Sequence, residues 1–95
     1  MGHLVLEDSQ RKWDLRGHAV SIGRYPHNQV QLSDPSVSRE HALLFVVNDA
    51  LYVKDLGSMA GTFLDGVPVE PEQPVPVHES ARLGFGTVEL RLRRV

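Results

Sequence analysis

The stretch His41-Ala42-Leu43-Leu44-Phe45-Val46-Val47-Asn48-Asp49-Ala50-Leu51-Tyr52-Val53-Lys54-Asp55 sets the fold class. Its two apolar runs are too short for ordinary helices, and Asn48-Asp49 between them supplies residues that accept the tight turn of a hairpin. Strands are therefore expected over 41–47 and 51–55. Further along, Asp65-Gly66 separates Phe63-Leu64 from Val67-Pro68-Val69. This turn signal is stronger, because Gly tolerates the positive φ that a primed turn demands. Near the carboxyl end Val88, Leu90 and Leu92 alternate with Glu89, Arg91 and Arg93, the pattern of a half-buried strand with one wet face. Other strands are expected over 4–7, 12–16, 19–23, 29–32 and 62–64. Pro68, Pro71, Pro74 and Pro76 each lack a backbone donor, so 68–76 reads as an edge or surface loop. No ten residues carry a convincing 3.6-residue apolar stripe. The expected architecture is all-β, a sandwich of two packed sheets.

Composition bounds the function. The 95 residues include 10 basic and 12 acidic side chains, 5 His and no Cys, with 41% hydrophobic residues. A chain of this length supports one compact core, so 1–95 is expected to be a single domain, with Met1-Gly2 read as a remnant of expression. Without Cys there is no disulfide framework, thiol nucleophile or thiolate metal site, which fits a cytoplasmic protein. The longest apolar run, Ala42 to Val47, falls far short of the ~18 residues that suggest a membrane span. No charged leader region precedes a long apolar stretch either, so no membrane association is expected. The net charge of −2 argues against nucleic acid as a partner. The one basic cluster, Arg91, Arg93 and Arg94, alternates as a solvated strand face would.

A sandwich gathers its loops at its ends, and loops carry a large share of binding residues. Three polar loops stand out, at 24–28, 33–40 and 57–61. Arg24 follows a strand whose Val20 and Ile22 face the core, so alternation turns it inward at the mouth of the sandwich. There it either pairs with a carboxylate or offers its planar fork to an anionic ligand. The second loop, Asp34-Pro35-Ser36-Val37-Ser38-Arg39-Glu40-His41, combines hydroxyls, a guanidinium and an imidazole. Such a set suits a phosphate monoester, with its charge of ~−1.5 to −2 and three strong acceptor oxygens. It equally suits a turn in which Ser and Asp cap their own backbone.

Gly23-Arg24, then Ser38-Arg39-Glu40-His41, then Asp55-Leu56-Gly57-Ser58-Met59-Ala60-Gly61-Thr62-Phe63-Leu64-Asp65-Gly66 resemble, in order and spacing, the motifs of the forkhead-associated (FHA) domain. The resemblance covers nearly the whole chain. It implies a β-sandwich of about eleven strands whose loops at one end bind phosphothreonine peptides. Carried onto this sequence, it implies that Arg24 contacts the phosphate or fixes the peptide backbone beside it. Ser38 would hydrogen-bond the phosphate, and Arg39 would supply a second cation. His41 becomes a structural bracket between loops, since a neutral imidazole donates at one nitrogen and accepts at the other. Gly23, Gly61 and Gly66 become backbone-conformation positions. Tyr25, His27, Asn28 and Ser36 are candidates for reading residues that flank the phosphothreonine. No cofactor or metal is implied, and the scattered His3, His18, His27, His41 and His78 show no ligand spacing.

One departure stands in the third motif. Most members of the family read Gly-Ser-Thr-Asn-Gly-Thr where this chain has Gly57-Ser58-Met59-Ala60-Gly61-Thr62. In the family the Asn bonds the peptide main chain and the preceding Thr lies near the phosphate; Met59 and Ala60 do neither. Losing such a bond costs roughly 1–3 kcal/mol when the partner is left unmet. Asp65, where the family often has Asn, is a smaller change within a tight turn. Two readings follow: a weakened or re-tuned phosphothreonine reader that uses Ser58, Met59 and Ala60 with the three anion-binding residues, or a phosphate-independent interaction module with Met59-Ala60 as an adaptable apolar contact. The first is the expectation, in a signalling adaptor or in part of a longer protein. Ser38, His41 and Asp55 supply the residue types of a hydrolytic triad, but no Gly-x-Ser-x-Gly elbow accompanies them, so no enzyme is expected.

Overall fold

The computed structural model describes residues 3–95, and the reading of Met1-Gly2 lies outside the described residues. Eleven strands follow in order: β1 (Leu4–Glu7), β2 (Lys12–Leu15), β3 (Ala19–Gly23), β4 (Val30–Gln31), β5 (Ala42–Val47), β6 (Ala50–Asp55), β7 (Thr62–Leu64), β8 (Val67–Pro68), β9 (Val75–Pro76), β10 (Arg82–Phe85) and β11 (Val88–Arg94). They form a six-stranded sheet in the order β2-β1-β11-β10-β7-β8 and a five-stranded sheet in the order β4-β3-β5-β6-β9. This is the all-β two-sheet architecture that the alternating pattern predicts.

Register follows from the turns. Asn48 and Asp49 have φ of 50° and 65°, so both central residues of the β5–β6 hairpin are left-handed. That twist matches the flanking strands, and Val47 pairs with Ala50. Asp65 and Gly66, with φ of 50° and 83°, close β7 onto β8 in the same way, pairing Leu64 with Val67. With one face buried, a one-residue slip would move every core side chain to solvent. Leu4, Leu6, Leu83, Phe85, Leu90 and Leu92 from one sheet therefore meet Val20, Ile22, Ala42, Leu44 and Val53 from the other. Each large aliphatic or aromatic side chain buried in this way stabilises the fold by roughly 1.5–3 kcal/mol.

Some local expectations change. β10 had no place in the strand reading, because Gly84 in its centre has no side chain to mark a face. Gly84 is buried under Phe63, whose Cβ would lie 3.1 Å from an added methyl group. The proline segment is not loop throughout: β8 and β9 occupy its ends, each at the edge of a sheet, where a missing donor costs least. β3 and β4 pair parallel, Ile22 with Val30, unlike the other strand pairs. In the basic cluster Arg93 makes a bidentate ion pair with Glu7, and Arg94 pairs with Glu79. No helix of the described residues is long and apolar enough to cross a membrane.

Candidate functional site

The β3–β4, β4–β5 and β6–β7 loops meet at one end of the sandwich, and the way they are tied places every group of the site. Gly23 ends β3 so close to the second loop that an added Cβ would sit 2.2 Å from the Arg39 carbonyl oxygen. Its φ is not positive, so close approach, and not a left-handed conformation, is what requires Gly here. Beyond it the Arg24 N–H donates to the Ser38 carbonyl at 2.9 Å and the Tyr25 N–H to the Arg39 carbonyl at 3.3 Å. Asn28 completes the clasp. Buried, its side-chain amide donates to the carbonyls of Tyr25, at 2.8 Å, and Arg39, at 2.9 Å. The donors of this amide are thus committed to holding the first two loops together, a supporting role that the sequence did not suggest for Asn28.

The third loop is built around a buried carboxylate. Asp55 accepts from the backbone N–H of Gly57 and Ser58, from the Ser58 hydroxyl at 2.5 Å and from the Thr62 hydroxyl at 2.6 Å. Burial pushes the Asp55 carboxyl up, but these bonds outweigh it and hold the group below the ordinary carboxylate value. The Ser58 oxygen also accepts the N–H of Gly61, whose φ of 94° suits glycine. Ser58 is thus turned into its own loop, its hydroxyl hydrogen committed to Asp55. Ser36 is likewise engaged, donating to Asp34 and accepting from the Thr87 N–H.

His41 joins the second loop to the third. Its Nδ1 accepts the Ser38 backbone N–H at 3.0 Å, and its Nε2 donates to the Gly61 carbonyl at 2.8 Å, which fixes a neutral tautomer. Burial lowers its pKa, against opposing contributions from the Gly61 bond and the field of Asp55. Neither ring nitrogen faces the Ser38 hydroxyl, and Asp55 is committed to Ser58 and Thr62, so Ser38, His41 and Asp55 do not form a triad. Asp55, Thr62 and Asn28 support the loops through hydrogen bonds, a role that the sequence reading did not give them. The one available signal was Asp55 preceding a hydroxyl-rich turn, a frequent local capping pattern.

What remains open to a ligand is an indentation of about 500 Å³ lined by Arg24, Val37, Ser38, Arg39, Gly57 and Met59, among others. Arg24 uses Nε on the Val37 carbonyl at 3.0 Å, and neither Arg24 nor Arg39 forms an ion pair among the described residues. The Ser38 oxygen accepts the Met59 N–H at 3.0 Å, which leaves its hydroxyl hydrogen to donate elsewhere. Met59 is 94% exposed, and Ala60 beside it is exposed as well. Tyr25 and His27 are exposed on the rim, where His27 meets Glu40 at 3.4 Å. A larger hollow of about 620 Å³ lies along Leu64, Val67, Pro68 and Val69. Its lining holds no cation and does not suit an anion.

Two guanidiniums without carboxylate partners among the described residues and a donating hydroxyl, held on loops at one end of a β-sandwich, have the chemistry that suits an anionic ligand. The chain belongs to the FHA domain family, whose model matches residues 20–86. It is similar to the FHA domain-containing protein FhaB of Mycobacterium tuberculosis, 39% identical over 77 residues that cover 81% of this chain and 50% of FhaB. The chain thus spans about half the length of that relative. Among solved structures, an FHA domain from work on phosphothreonine-dependent FHA interactions is 27% identical with a TM-score of 0.85, covering 98% of this chain and 97% of that one. The FhaA FHA domain complexed with the intracellular domain of Rv3910 is 30% identical with a TM-score of 0.81, covering 96% and 98%. FHA domains bind phosphothreonine peptides in Ser/Thr-kinase signalling and are generally non-enzymatic.

Proposed function

We propose that this chain is a phosphothreonine-peptide binding module of a Ser/Thr-kinase signalling system, in which Arg24, Ser38 and Arg39 hold the phosphate. One observation carries this reading: the three groups line a single indentation, and among the described residues no carboxylate pairs with either guanidinium. The Ser38 O–H donates to a phosphate oxygen while its own oxygen stays anchored on the Met59 N–H. Charge-assisted bonds of this kind are about twice as strong as neutral ones. Gly23, His41 and Gly61 act beneath the site by fixing loop spacing. The binding unit lies within 1–95, whether in a small adaptor or in part of a longer protein, works in the cytoplasm and turns nothing over.

Calorimetric titration with a phosphothreonine peptide library and matched unphosphorylated peptides tests this. Binding confined to the phosphorylated forms is expected, and equal binding of both forms removes the phosphate from recognition. The exposure of Met59 favours one second reading, a phosphate-independent contact through Met59 and Ala60. Under that reading both peptide forms bind alike and Met59→Ser abolishes the binding.

A further inference from the structure

Tyr25 stands in an unusual place for an exposed loop residue. The guanidinium carbon of Arg24 lies over its ring, 5.6 Å from the centroid, and that of Arg39 lies over the same ring at 5.3 Å. These are the two cations of the anion site, carried on different loops 15 residues apart in sequence. The backbone of Tyr25 is fixed on Arg39 as well, through its own N–H and through the Asn28 amide that spans both carbonyls. The ring is held from a further side by His27, edge-on with centroids 6.3 Å apart.

We infer that Tyr25 is a positioning residue, whose ring pre-arranges the Arg24 and Arg39 guanidiniums for one phosphate dianion; this rests on the phosphothreonine reading of the site. Two like charges gathered in one place repel each other, and an arginine side chain loses rotamer entropy when it settles on a ligand, a loss that falls mainly on the exposed Arg39 because Arg24 is already anchored on Val37. A shared aromatic ring attracts both cations before the ligand arrives and removes part of that cost from the binding step. The ring performs this and the hydroxyl does not, so phenylalanine replaces tyrosine while an aliphatic side chain of similar bulk fails. Because Tyr25 is 39% exposed, its removal leaves the core intact. The inferred role lies in the geometry of the cations, which the sequence reading of Tyr25 as a reader of flanking residues did not include.

The test compares wild type, Tyr25→Phe, Tyr25→Leu and Tyr25→Gln in three measurements: titration with a phosphothreonine peptide, thermal unfolding, and NMR of the arginine side-chain Nε–Hε groups with and without inorganic phosphate. Tyr25→Phe should bind within about 2-fold of wild type, whereas Tyr25→Leu and Tyr25→Gln weaken binding about 5- to 30-fold at unchanged unfolding temperature. The Arg24 and Arg39 signals should be displaced upfield by the ring in wild type and Tyr25→Phe and lose that displacement in the other two. Wild-type affinity in Tyr25→Leu, an equal loss in Tyr25→Phe, or arginine signals indifferent to the ring would each overturn the inference. If wild type does not prefer the phosphorylated peptide, the functional reading fails; the arginine signals and their response to inorganic phosphate still decide the positioning role.

Discussion

The Nδ1 of His41 accepts the backbone N–H of Ser38 at 3.0 Å, so the residue proposed to hold phosphate is fixed through its main chain by a buried ring. The same ring donates to Gly61 and packs edge-on against Phe85 with centroids 5.8 Å apart. Sequence, packing and site meet in this contact: a core aromatic supports the ring, and the ring sets the position of the Ser38 loop.

Replacing His41 separates these contributions. His41→Phe fills the space and keeps an aromatic edge for Phe85, but leaves the Ser38 N–H without an acceptor, at a cost of about 1–3 kcal/mol. His41→Ala adds a cavity and should lose about 2–4 kcal/mol in all. Urea unfolding at neutral pH measures both, and phosphopeptide affinity should fall alongside stability in each variant. A His41→Phe protein as stable as wild type would show that the bracket contributes nothing.

Acid should act through the same network in two stages. Burial lowers the His41 pKa below the unfolded value of ~6.5, so the unfolded chain binds the proton more readily. The stability owed to neutral His41 is complete above ~6.5 and declines as pH falls through the unfolded and then the folded value. Asp55 is opposed by burial but held down by Ser58, Thr62 and backbone N–H groups; its contribution is present above ~3.9 and disappears as pH falls below that value. Urea midpoints measured between pH 8 and 3 should stay level above 6.5, decline below it and drop again below about 4. The upper decline should shrink in His41→Phe and the lower one in Asp55→Asn. A wild-type midpoint that is the same at pH 7 and pH 5 would remove His41 from this account.

Strand positions and hairpin pairings could be anticipated wherever side chains alternate around a turn that demands special backbone angles, as at Asn48-Asp49 and Asp65-Gly66. β10 escaped for the converse reason, since Gly84 offers no side chain and its burial depends on Phe63 from another strand. The site shows the same limit. Motif spacing brought Arg24, Ser38 and Arg39 onto neighbouring loops, but composition does not say which way a loop hydroxyl or amide turns. Ser58, Ser36 and Asn28 all looked available to a ligand, and each is engaged within the protein, Ser58 in its own loop, Ser36 also on Thr87 and Asn28 also on Arg39. The shared ring of Tyr25 is likewise a product of two loops meeting, a relation that no local pattern carries.

The two arginines should differ in weight. Arg24 is half-buried and anchored by Nε on Val37, so Arg24→Ala removes a partly desolvated contact and should cost about 2–3 kcal/mol of phosphopeptide affinity. Arg39 is exposed, and an exposed charge pair is worth about 1 kcal/mol or less. The remaining affinity of Arg24→Ala should also depend less steeply on salt, because fewer charges are screened. Titrations of both variants at two ionic strengths give the ranking; an Arg24→Ala protein that binds as wild type places Arg24 outside the site.

The substitution at position 60 gives the last prediction. Where most of the family carries Asn, Ala60 presents an exposed methyl group, while its neighbour Met59 already spends its N–H on the Ser38 hydroxyl. Under the proposed reading Arg24, Ser38 and Arg39 hold the phosphate, and the deficit at position 60 concerns the peptide main chain beside it. Ala60→Asn supplies an amide with both a donor and an acceptor at that point, in an exposed loop position where the longer side chain has room. A bond regained to a main chain otherwise left unmet contributes at most about 1–3 kcal/mol, or roughly 5- to 150-fold in affinity. Water already satisfies part of the deficit at an open site, so the lower end of that range is expected. The gain should appear with phosphorylated and be absent with unphosphorylated peptide, since it depends on the phosphate first fixing the peptide in place. Calorimetry on the two proteins with one peptide pair decides the matter: an Ala60→Asn affinity that is flat or lower means that this chain holds the peptide backbone by other groups, and that Ala60 is no deficit.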